Sequence, residues 1–306
     1  MEIINAHVHM IELEAMMAQQ PGLVLPPGIA VLEELDATLP LLLPKTLIAQ
    51  MDEAGIDRSV LYAVQAPIVY ASNEYVHELC ERFPDRLIGF ASVDPTDPGA
   101  PARLEQAVRG LGLKGLKLHP PLQRFSPDDE RVFPVYEKAV ELNIPVVFHV
   151  GTTPFGPLCR LAHASPLLID EVAVRFPELR ILLTHLGTLW HNEAFMVVEK
   201  NPNVFIDTAA YVTEIEQILT PDIVTRIGAD KIVFGTDYPM PYAGQVHRMS
   251  DFVDCVRGLA LPDQVLARIF SRNFDALLNG RQPSGNVLGE QLLEKVRQLA
   301  ADNTEG

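Results

Sequence analysis

The segment Pro145-Val146-Val147-Phe148-His149-Val150 is a short run of apolar residues with a histidine near its end. Unbroken apolar runs of this length are typical of strands that are covered on both faces, as in a parallel sheet. About eight such runs alternate with longer amphipathic stretches along the chain. The predicted strands are Ile3–His7, Ser59–Val64, Leu87–Val93, Gly115–His119, Pro145–Val150, Ile181–His185, Val204–Asp207 and Ile232–Thr236.

The stretches between these runs place apolar residues three and four positions apart, which is the spacing of amphipathic helices. Repeated alternation of strand and helix favours a closed (β/α)8 TIM barrel over a doubly wound open sheet. The open sheet stays the alternative, although its common G-x-G-x-x-G pattern does not follow the first strand. The length of 306 residues suits a single barrel domain, which typically takes about 250 residues plus insertions.

Two segments lie outside this repeat. The segment between His9 and Lys45 is rich in Met, Pro and Leu and is much longer than an ordinary connection. We predict a long loop there that lies over the barrel mouth as a lid or specificity loop. After Leu278 a polar linker leads to a predicted last helix, Glu290–Ala300. The expected organisation is a catalytic barrel, residues 1–280, followed by a C-terminal linker and helix, residues 281–306.

Composition narrows the classes of partner. The net charge of −16 argues against nucleic acid and anionic membranes, because both bind basic surfaces. No apolar run approaches the roughly 20 residues that span a bilayer, and no signal peptide is evident. Cys80, Cys159 and Cys255 are far apart in sequence, which favours free thiols in a reducing compartment. We therefore expect a soluble cytoplasmic protein that acts on a small molecule.

Polar side chains recur where the predicted strands end. His7 and His9 are two residues apart, so in a strand both point to the same face. Later strands end on Lys117 and His119, His149, His185 and Asp237. The carboxyl ends of barrel strands converge on one mouth, where active sites of this fold are built. Imidazole and carboxylate ligands without cysteine fit a catalytic zinc, or a neighbouring transition metal, with an open position for water.

At these residues the chain resembles the amidohydrolase superfamily, and within it the branch that includes aminocarboxymuconate-semialdehyde decarboxylase. The motifs that carry the resemblance are His7-Val8-His9, Gly115-Leu116-Lys117-Leu118-His119-Pro120, Val147-Phe148-His149, Thr184-His185-Leu186-Gly187 and Gly235-Thr236-Asp237-Tyr238-Pro239. The resemblance implies one divalent metal, zinc with manganese as the alternative, bound by His7, His9, His149 and Asp237. It implies that His185 is the acid/base, that Asp237 shares in proton transfer, and that the protein is a homodimer.

Lys117 has two interpretations. In some barrels of this superfamily a lysine on the fourth strand is carbamylated and bridges two metals. Because Lys117 and His119 share one face of their strand, their spacing leaves a second metal open. In the branch that the chain resembles, one metal is usual. We then expect Lys117 to be a buried cation near the site and His119 to contact the substrate.

The reaction is the most open question, because this branch contains both hydrolases and decarboxylases. The main prediction is a hydrolase that attacks a lactone, ester or amide with a metal-bound hydroxide. The alternative is a non-oxidative decarboxylase acting on a small unsaturated or aromatic carboxylic acid. Decarboxylases of the branch that the chain resembles often have an acidic residue soon after the His-x-Gly of the sixth strand, and here Thr188-Leu189-Trp190-His191 follows Gly187, which weakens this alternative. The predicted substrate contacts are Lys117, His119, Arg124, Arg160 and Trp190, the arginines for a carboxylate and the tryptophan by stacking.

Overall fold

The computed structural model describes residues 1–19, 35–66, 69–239 and 246–280. The predicted C-terminal linker and the helix Glu290–Ala300 lie outside the described residues. The strands are β1 Ile4–His9, β2 Arg58–Tyr62, β3 Val64–Ala66, β4 Val69–Ala71, β5 Leu87–Phe90, β6 Leu116–Leu118, β7 Val146–Phe148, β8 Ile181–Leu183, β9 Val204–Asp207 and β10 Ile232–Val233.

Parallel strands form a closed barrel in the described part of the chain. One sheet has the order β1–β2–β5, and the other has the order β10–β9–β8–β7–β6. A parallel bridge between Ala91 and Leu116 joins β5 to β6. A second bridge, between Val8 and Tyr238, joins β1 to the chain that follows β10. The predicted (β/α)8 barrel is confirmed, and every predicted barrel strand overlaps one of these strands.

The register of the strands sets the height of the residues that follow them. Leu118 pairs with Phe148, Phe148 with Leu183, and Leu183 with Ile206. The residues just beyond these positions therefore emerge at one end of the barrel. Apolar side chains of the strands, among them Ala6, Tyr62, Val147 and Phe205, form a buried cluster, so the interior of the barrel is a packed core.

Helices cover the outside of the barrel. Their bounds are α1 Leu13–Gln19, α2 Leu35–Thr38, α3 Pro44–Ala54, α4 Asn73–Arg82, α5 Ala100–Arg109, α6 Pro120–Gln123, α7 Phe133–Glu141, α8 Pro166–Arg175, α9 His191–Lys200, α10 Val212–Ile218, α11 Pro221–Ile227, α12 Met249–Gly258, α13 Asp263–Ala267 and α14 Asn273–Asn279. Amphipathic spacing explains the longer ones, since α5 buries Ala100, Leu104 and Ala107 on one face. None of the helices among the described residues combines the length and the apolar character that crossing a membrane requires.

The segment between His9 and Lys45, predicted as a long loop, is helical in part, and its residues 20–34 lie outside the described residues. Its described residues form α1, α2 and a 3-10 turn at Leu39–Leu42. The sequence of α1, LEAMMAQ, consists of strong helix formers, and this local preference decides its structure. Tyr238 donates a hydrogen bond of 3.0 Å to the carbonyl of Leu41, so the end of this segment lies beside the chain that carries Asp237.

A small hairpin was also not predicted. After β2, strands β3 and β4 pair antiparallel, with Val64 opposite Ala71 and Ala66 opposite Val69. The predicted second barrel strand, Ser59–Val64, includes Val64 because the apolar run continues through this residue. Glu12 accepts hydrogen bonds from the backbone and the hydroxyl of Ser72, so the hairpin and the start of α1 are fixed to each other.

Candidate active site

Three of the predicted metal ligands meet at the carboxyl ends of the strands. His7 and His9 lie at the end of β1, with their Nε2 atoms 3.1 Å apart. Asp237 Oδ1 lies 3.2 Å from Nε2 of His7 and 3.3 Å from Nε2 of His9. One ligand atom from each of the three residues lies within 4.8 Å of the others. These contacts form a compact group of two imidazoles and a carboxylate that fits a divalent metal.

Asp207, at the end of β9, fixes the ring of His7. Its Oδ2 lies 2.8 Å from Nδ1 of His7, and both side chains are completely buried. When Asp207 is ionised its carboxylate only accepts hydrogen bonds, and Nδ1 of His7 then carries the proton in this contact. The lone pair of His7 Nε2 then faces His9 and Asp237, which is the arrangement that a metal ligand needs.

His185 and His149 are joined by their ring nitrogens. Nδ1 of His185 donates to the carbonyl of Ala209 over 2.7 Å, because a carbonyl oxygen can only accept. In the neutral ring Nε2 is then an acceptor, and it lies 3.0 Å from Nδ1 of His149. His149 must therefore donate through Nδ1. Its Nε2 is left as a bare acceptor, buried and without a hydrogen-bond partner among the described residues.

This unpartnered nitrogen is the test of whether the side chains fit a metal. A buried acceptor without a partner is costly, and a divalent cation would satisfy it. His149 does not belong to the compact group of His7, His9 and Asp237 among the described residues. The donor set of imidazoles and a carboxylate nevertheless fits such an ion, with three ligands already gathered. The role of His149 as the fourth ligand stays a prediction.

Burial keeps the histidines neutral. It lowers the pKa of His7, His9, His119 and His149, and the positive charge of Lys117 acts in the same direction on all four. Burial also lowers the pKa of His185 to about 4, against the opposing effect of Asp237. A neutral imidazole is the form that binds metal or accepts a proton. The site is therefore prepared for both roles near neutral pH.

The two aspartates are perturbed in opposite directions. Burial raises the pKa of Asp207 to about 7, although backbone hydrogen bonds and Lys117 oppose the rise. Burial would also raise the pKa of Asp237, but His185, His9 and Lys117 together lower it. Asp237 is thus a carboxylate at neutral pH.

Two residues of the site have an unusual backbone conformation. Asp237 has a left-handed backbone with φ of 56°, and His185 has φ of 62°. Such conformations are disfavoured for these residues and are concentrated at functional sites.

Lys117 lies behind the compact group. Its side chain is only 1% exposed, and its Nζ lies 4.8 Å from the ring centroid of Tyr62. The Nζ has no hydrogen-bond partner among the described residues. Burial lowers its pKa to about 8, against the effect of Asp207 and Asp237. Lys117 is thus a buried lysine near the site, and the choice between its two predicted roles stays a prediction.

A narrow cleft opens beside the metal-binding group. Its polar wall contains His149, His185 and Asp237, and its apolar wall contains Ala210 and Phe252. A smaller adjoining cleft shares the same three polar residues and adds, among others, His9, His119 and Phe155. The ring of His119 stacks on that of His149 with centroids 3.9 Å apart. The combination of an apolar wall and polar groups suits a small organic molecule that carries a charged or polar group.

The predicted substrate contacts differ in their placement. His119 lines the smaller cleft, as expected. Arg124 and Arg160 are exposed, and Trp190 is half-exposed at the start of α9. Among the residues described as lining the two clefts, neither arginine, Trp190 nor Lys117 is present. The structure therefore gathers the predicted metal ligands, His185 and His119, while contact of the other four with a substrate stays a prediction.

Sequence reasoning missed two residues of the site. Asp207 closes β9 in the same manner in which His149 and His185 follow their strands, so a signal was present and was not used. His247 lines the larger cleft next to Phe252, with ring centroids 6.1 Å apart. His247 lies well beyond the end of the last barrel strand in sequence, so no local sequence pattern predicts that it reaches the site.

The sequence of the chain matches one known protein family and several known enzymes. The sequence profile of one family, described as Amidohydrolase, matches residues 4–279. The chain is 27% identical over 252 residues to a gamma-resorcylate decarboxylase from Polaromonas sp., a match that covers 62% of this chain and 74% of the relative. It is also 27% identical over 253 residues to a 2-keto-4-carboxy-3-hexenedioate hydratase from Sphingobium sp., with 69% of this chain and 71% of the relative covered.

A solved structure shares the fold. The 5-carboxyvanillate decarboxylase from Novosphingobium aromaticivorans superposes with a TM-score of 0.71 at 18% identity. The superposition covers 91% of this chain and 97% of that one. That structure holds manganese and 3-methoxy-4-hydroxy-5-nitrobenzoic acid.

Proposed function

Since the chain belongs to the amidohydrolase superfamily, in the branch that includes aminocarboxymuconate-semialdehyde decarboxylase, we propose that it is a metal-dependent, non-oxidative decarboxylase. Its substrate in this proposal is a small aromatic or unsaturated carboxylic acid. The observation that carries the proposal is the likeness to gamma-resorcylate decarboxylase along 74% of that relative's length. The sequence alone favoured hydrolysis, and the relatives favour the decarboxylase alternative over it.

The shape and charge of the site support this choice of substrate. The apolar wall of the larger cleft offers Phe252 to a flat ring or chain, and Tyr211 also lines it. The same cleft is also lined by the neutral histidines His149 and His185 and by Asp237. A molecule with an apolar body and a carboxylate matches both walls if its acidic end faces the metal-binding group.

The metal would be held by His7, His9 and Asp237, with His149 as the proposed fourth ligand. We propose a single divalent cation, manganese or zinc, because both accept imidazole and carboxylate ligands. When bound, such a cation supplies positive charge that orients a carboxylate and stabilises the electron pair released when CO₂ leaves. Asp207 keeps the ring of His7 in the form that can bind it.

Decarboxylation replaces the bond from carbon to CO₂ with a bond from carbon to hydrogen. The electron pair of the broken bond stays on the substrate carbon, and a proton must reach that carbon from the enzyme. His185 and Asp237 both line the cleft, with Nδ1 of His185 4.0 Å from Oδ2 of Asp237. Because the resting pair is a neutral imidazole and a carboxylate, we propose that it takes up a proton from solvent and passes it to the substrate carbon. The overall reaction consumes one proton for each carboxylate and releases CO₂.

Addition of water is the second candidate, because one relative is a hydratase. The same His185 and Asp237 would then take a proton from water, and would not deliver one to carbon. The two candidates differ in their products. One releases CO₂ and shortens the substrate by a carbon, and the other retains every carbon atom.

The test is a panel of hydroxylated benzoates and short unsaturated diacids, incubated with protein reconstituted with manganese or with zinc. We expect release of CO₂ together with the product that lacks the carboxylate, and loss of both after chelation. A product that has gained the mass of water, without CO₂, would replace decarboxylation with the second candidate. A set of lactones and esters in the same panel tests the original hydrolase prediction.

A further inference from the structure

We propose that Asp207 is a positioning residue that fixes the metal ligand His7 and the acid/base His185 at the same time. The inference rests on the metal site of the proposed function, but it does not depend on which reaction the site performs. Asp207 contacts neither of the described clefts, and its side chain is completely buried. Any influence it has on a substrate therefore acts through these two histidines.

The two carboxylate oxygens of Asp207 have different partners. Oδ2 accepts from the ring of His7, on β1, over 2.8 Å. Oδ1 accepts from the backbone N–H of His185 over 2.7 Å and from that of Ala209 over 3.1 Å. Both oxygens of this buried carboxylate thus accept hydrogen bonds from residues of the site, three in all. Its removal would leave a buried imidazole and two buried N–H groups without partners.

The bond to His7 selects one tautomer of the ring. With the proton on Nδ1, Nε2 is free to bind a cation beside His9 and Asp237. With the proton on Nε2, that nitrogen has no lone pair for a metal. A carboxylate behind a metal-binding histidine commonly acts in this way, and its loss typically lowers metal affinity about 10–100-fold.

The bonds of Oδ1 hold His185 in an unfavourable backbone conformation. His185 has φ of 62°, and its N–H donates to Asp207. The other partner of Oδ1, Ala209, accepts the ring Nδ1–H of His185 through its own carbonyl over 2.7 Å. The carboxylate therefore fixes the backbone of His185 directly and the ring through Ala209. Both the metal ligand and the acid/base depend on this one side chain.

The substitution Asp207→Asn removes part of these hydrogen bonds and leaves the volume of the side chain almost unchanged, so it tests the hydrogen bonds and not the packing. Asparagine has the same shape but offers one acceptor oxygen and one NH₂ donor, whereas the site uses two acceptor oxygens. If the oxygen serves the backbone N–H groups, the NH₂ group faces Nδ1 of His7 and forces the proton onto Nε2. We expect metal affinity to fall about 10–100-fold, measured by competition with a chelator for manganese and for zinc.

The matched control is Asp57→Asn. Asp57 accepts a hydrogen bond of 2.8 Å from the N–H of Ile3, so it also contacts the β1 segment, but at the opposite end of the barrel. We expect the metal affinity of the Asp57→Asn variant to equal that of the wild type. Equal affinity in Asp207→Asn, with the fold retained, would overturn the proposal.

A measurement on the unaltered protein covers the case in which Asp207→Asn does not fold. Imidazole ¹⁵N NMR reports the tautomer of each histidine, and the contact of 2.8 Å between Asp207 Oδ2 and Nδ1 of His7 is the geometry that it tests. We expect His7 to carry its proton on Nδ1 in the metal-free protein. A proton on Nε2 would overturn the proposal, whatever the variants show. Neither readout requires turnover, so a failure of the proposed decarboxylation would leave this inference standing.

Discussion

His185 is the residue whose replacement most directly tests the chemistry. It lines the cleft, its ring is neutral, and its backbone is held in a left-handed conformation. We predict that His185→Asn lowers kcat about 10²–10⁴-fold, the usual contribution of an acid/base group. Metal content should stay at the wild-type level, because His7, His9 and Asp237 are untouched. The measurements are steady-state kinetics on the substrate found in the panel and metal analysis of the same samples.

His77→Asn provides the control for this prediction. His77 lies on α4 and lines a groove with Gly89 and Lys114, away from the residues of the metal-binding group. We expect wild-type kcat from this variant. If His185→Asn turned over as fast as His77→Asn, His185 would have no part in proton transfer.

The polar residues of the site were predictable where each one directly continues an apolar strand. His7, His9, His149, His185 and Asp237 all satisfy this condition, and the barrel brings them to one mouth. Their hydrogen bonds were not predictable, because each joins residues far apart in sequence. The contact between His7 and Asp207 spans 200 positions, and the one between His149 and His185 spans 36.

At the scale of elements, the junction between β5 and β6 is closely packed at Gly115. Gly115 precedes β6, and a Cβ atom there would overlap the ring of Phe90 at the end of β5. That ring cannot move aside easily, because it is fully buried between Tyr62 and Phe274. We predict that Gly115→Ala lowers the free energy of unfolding by about 1–3 kcal/mol, as overpacking of a core does. Urea unfolding followed by circular dichroism measures the change.

Gly258→Ala is the matched substitution. A Cβ at Gly258, the last residue of α12, meets only Glu216 Oε1 at 3.8 Å. Alanine favours helix over glycine, so we expect this variant to be as stable as the wild type or slightly more stable. Equal stability of the two variants would show that the strands at Gly115 are not as close as described.

Elements were predictable to the extent that their signal is local. The barrel strands are short buried runs, and α3 ends at Gly55 in a left-handed conformation, which glycine adopts readily. The hairpin of β3 and β4 was missed because the apolar run through Val64 hides the bend that separates it from β2. The helix α1 was missed because its Met-rich sequence was interpreted by its position in a long connection and not by its helix preference.

For the whole molecule, the buried histidines predict how stability depends on pH. In the folded, metal-free protein the pKa values of His7, His9, His119, His149 and His185 all lie below 6.5. The unfolded chain therefore binds more protons below about pH 6.5, and stability falls as the pH falls. For His185 the effect extends down to about pH 4, at about 1.4 kcal/mol per pH unit.

Asp207 acts in the opposite direction over part of this range. Its pKa is raised to about 7 in the folded protein, so between about pH 4 and 7 the folded state binds the extra proton. One such group opposes five histidines, and the net result is lower stability at low pH. Urea unfolding of the chelated protein between about pH 7.5 and 4.5 should show this decline, and His185→Asn should make it less steep. A stability that does not change over this range would contradict the neutral, buried histidine cluster.

Cellular location, the homodimer and the part that residues 281–306 play stay predictions. The proposed active site depends on a bound metal. Metal content per chain is the measurement that tests this dependence most directly. Protein stripped with chelator, reloaded with manganese or zinc and desalted should retain a single equivalent, and His9→Ala should retain none. Two equivalents would favour the alternative in which a carbamylated Lys117 bridges two metals. A wild-type protein that retains neither metal would contradict the site that His7, His9 and Asp237 form.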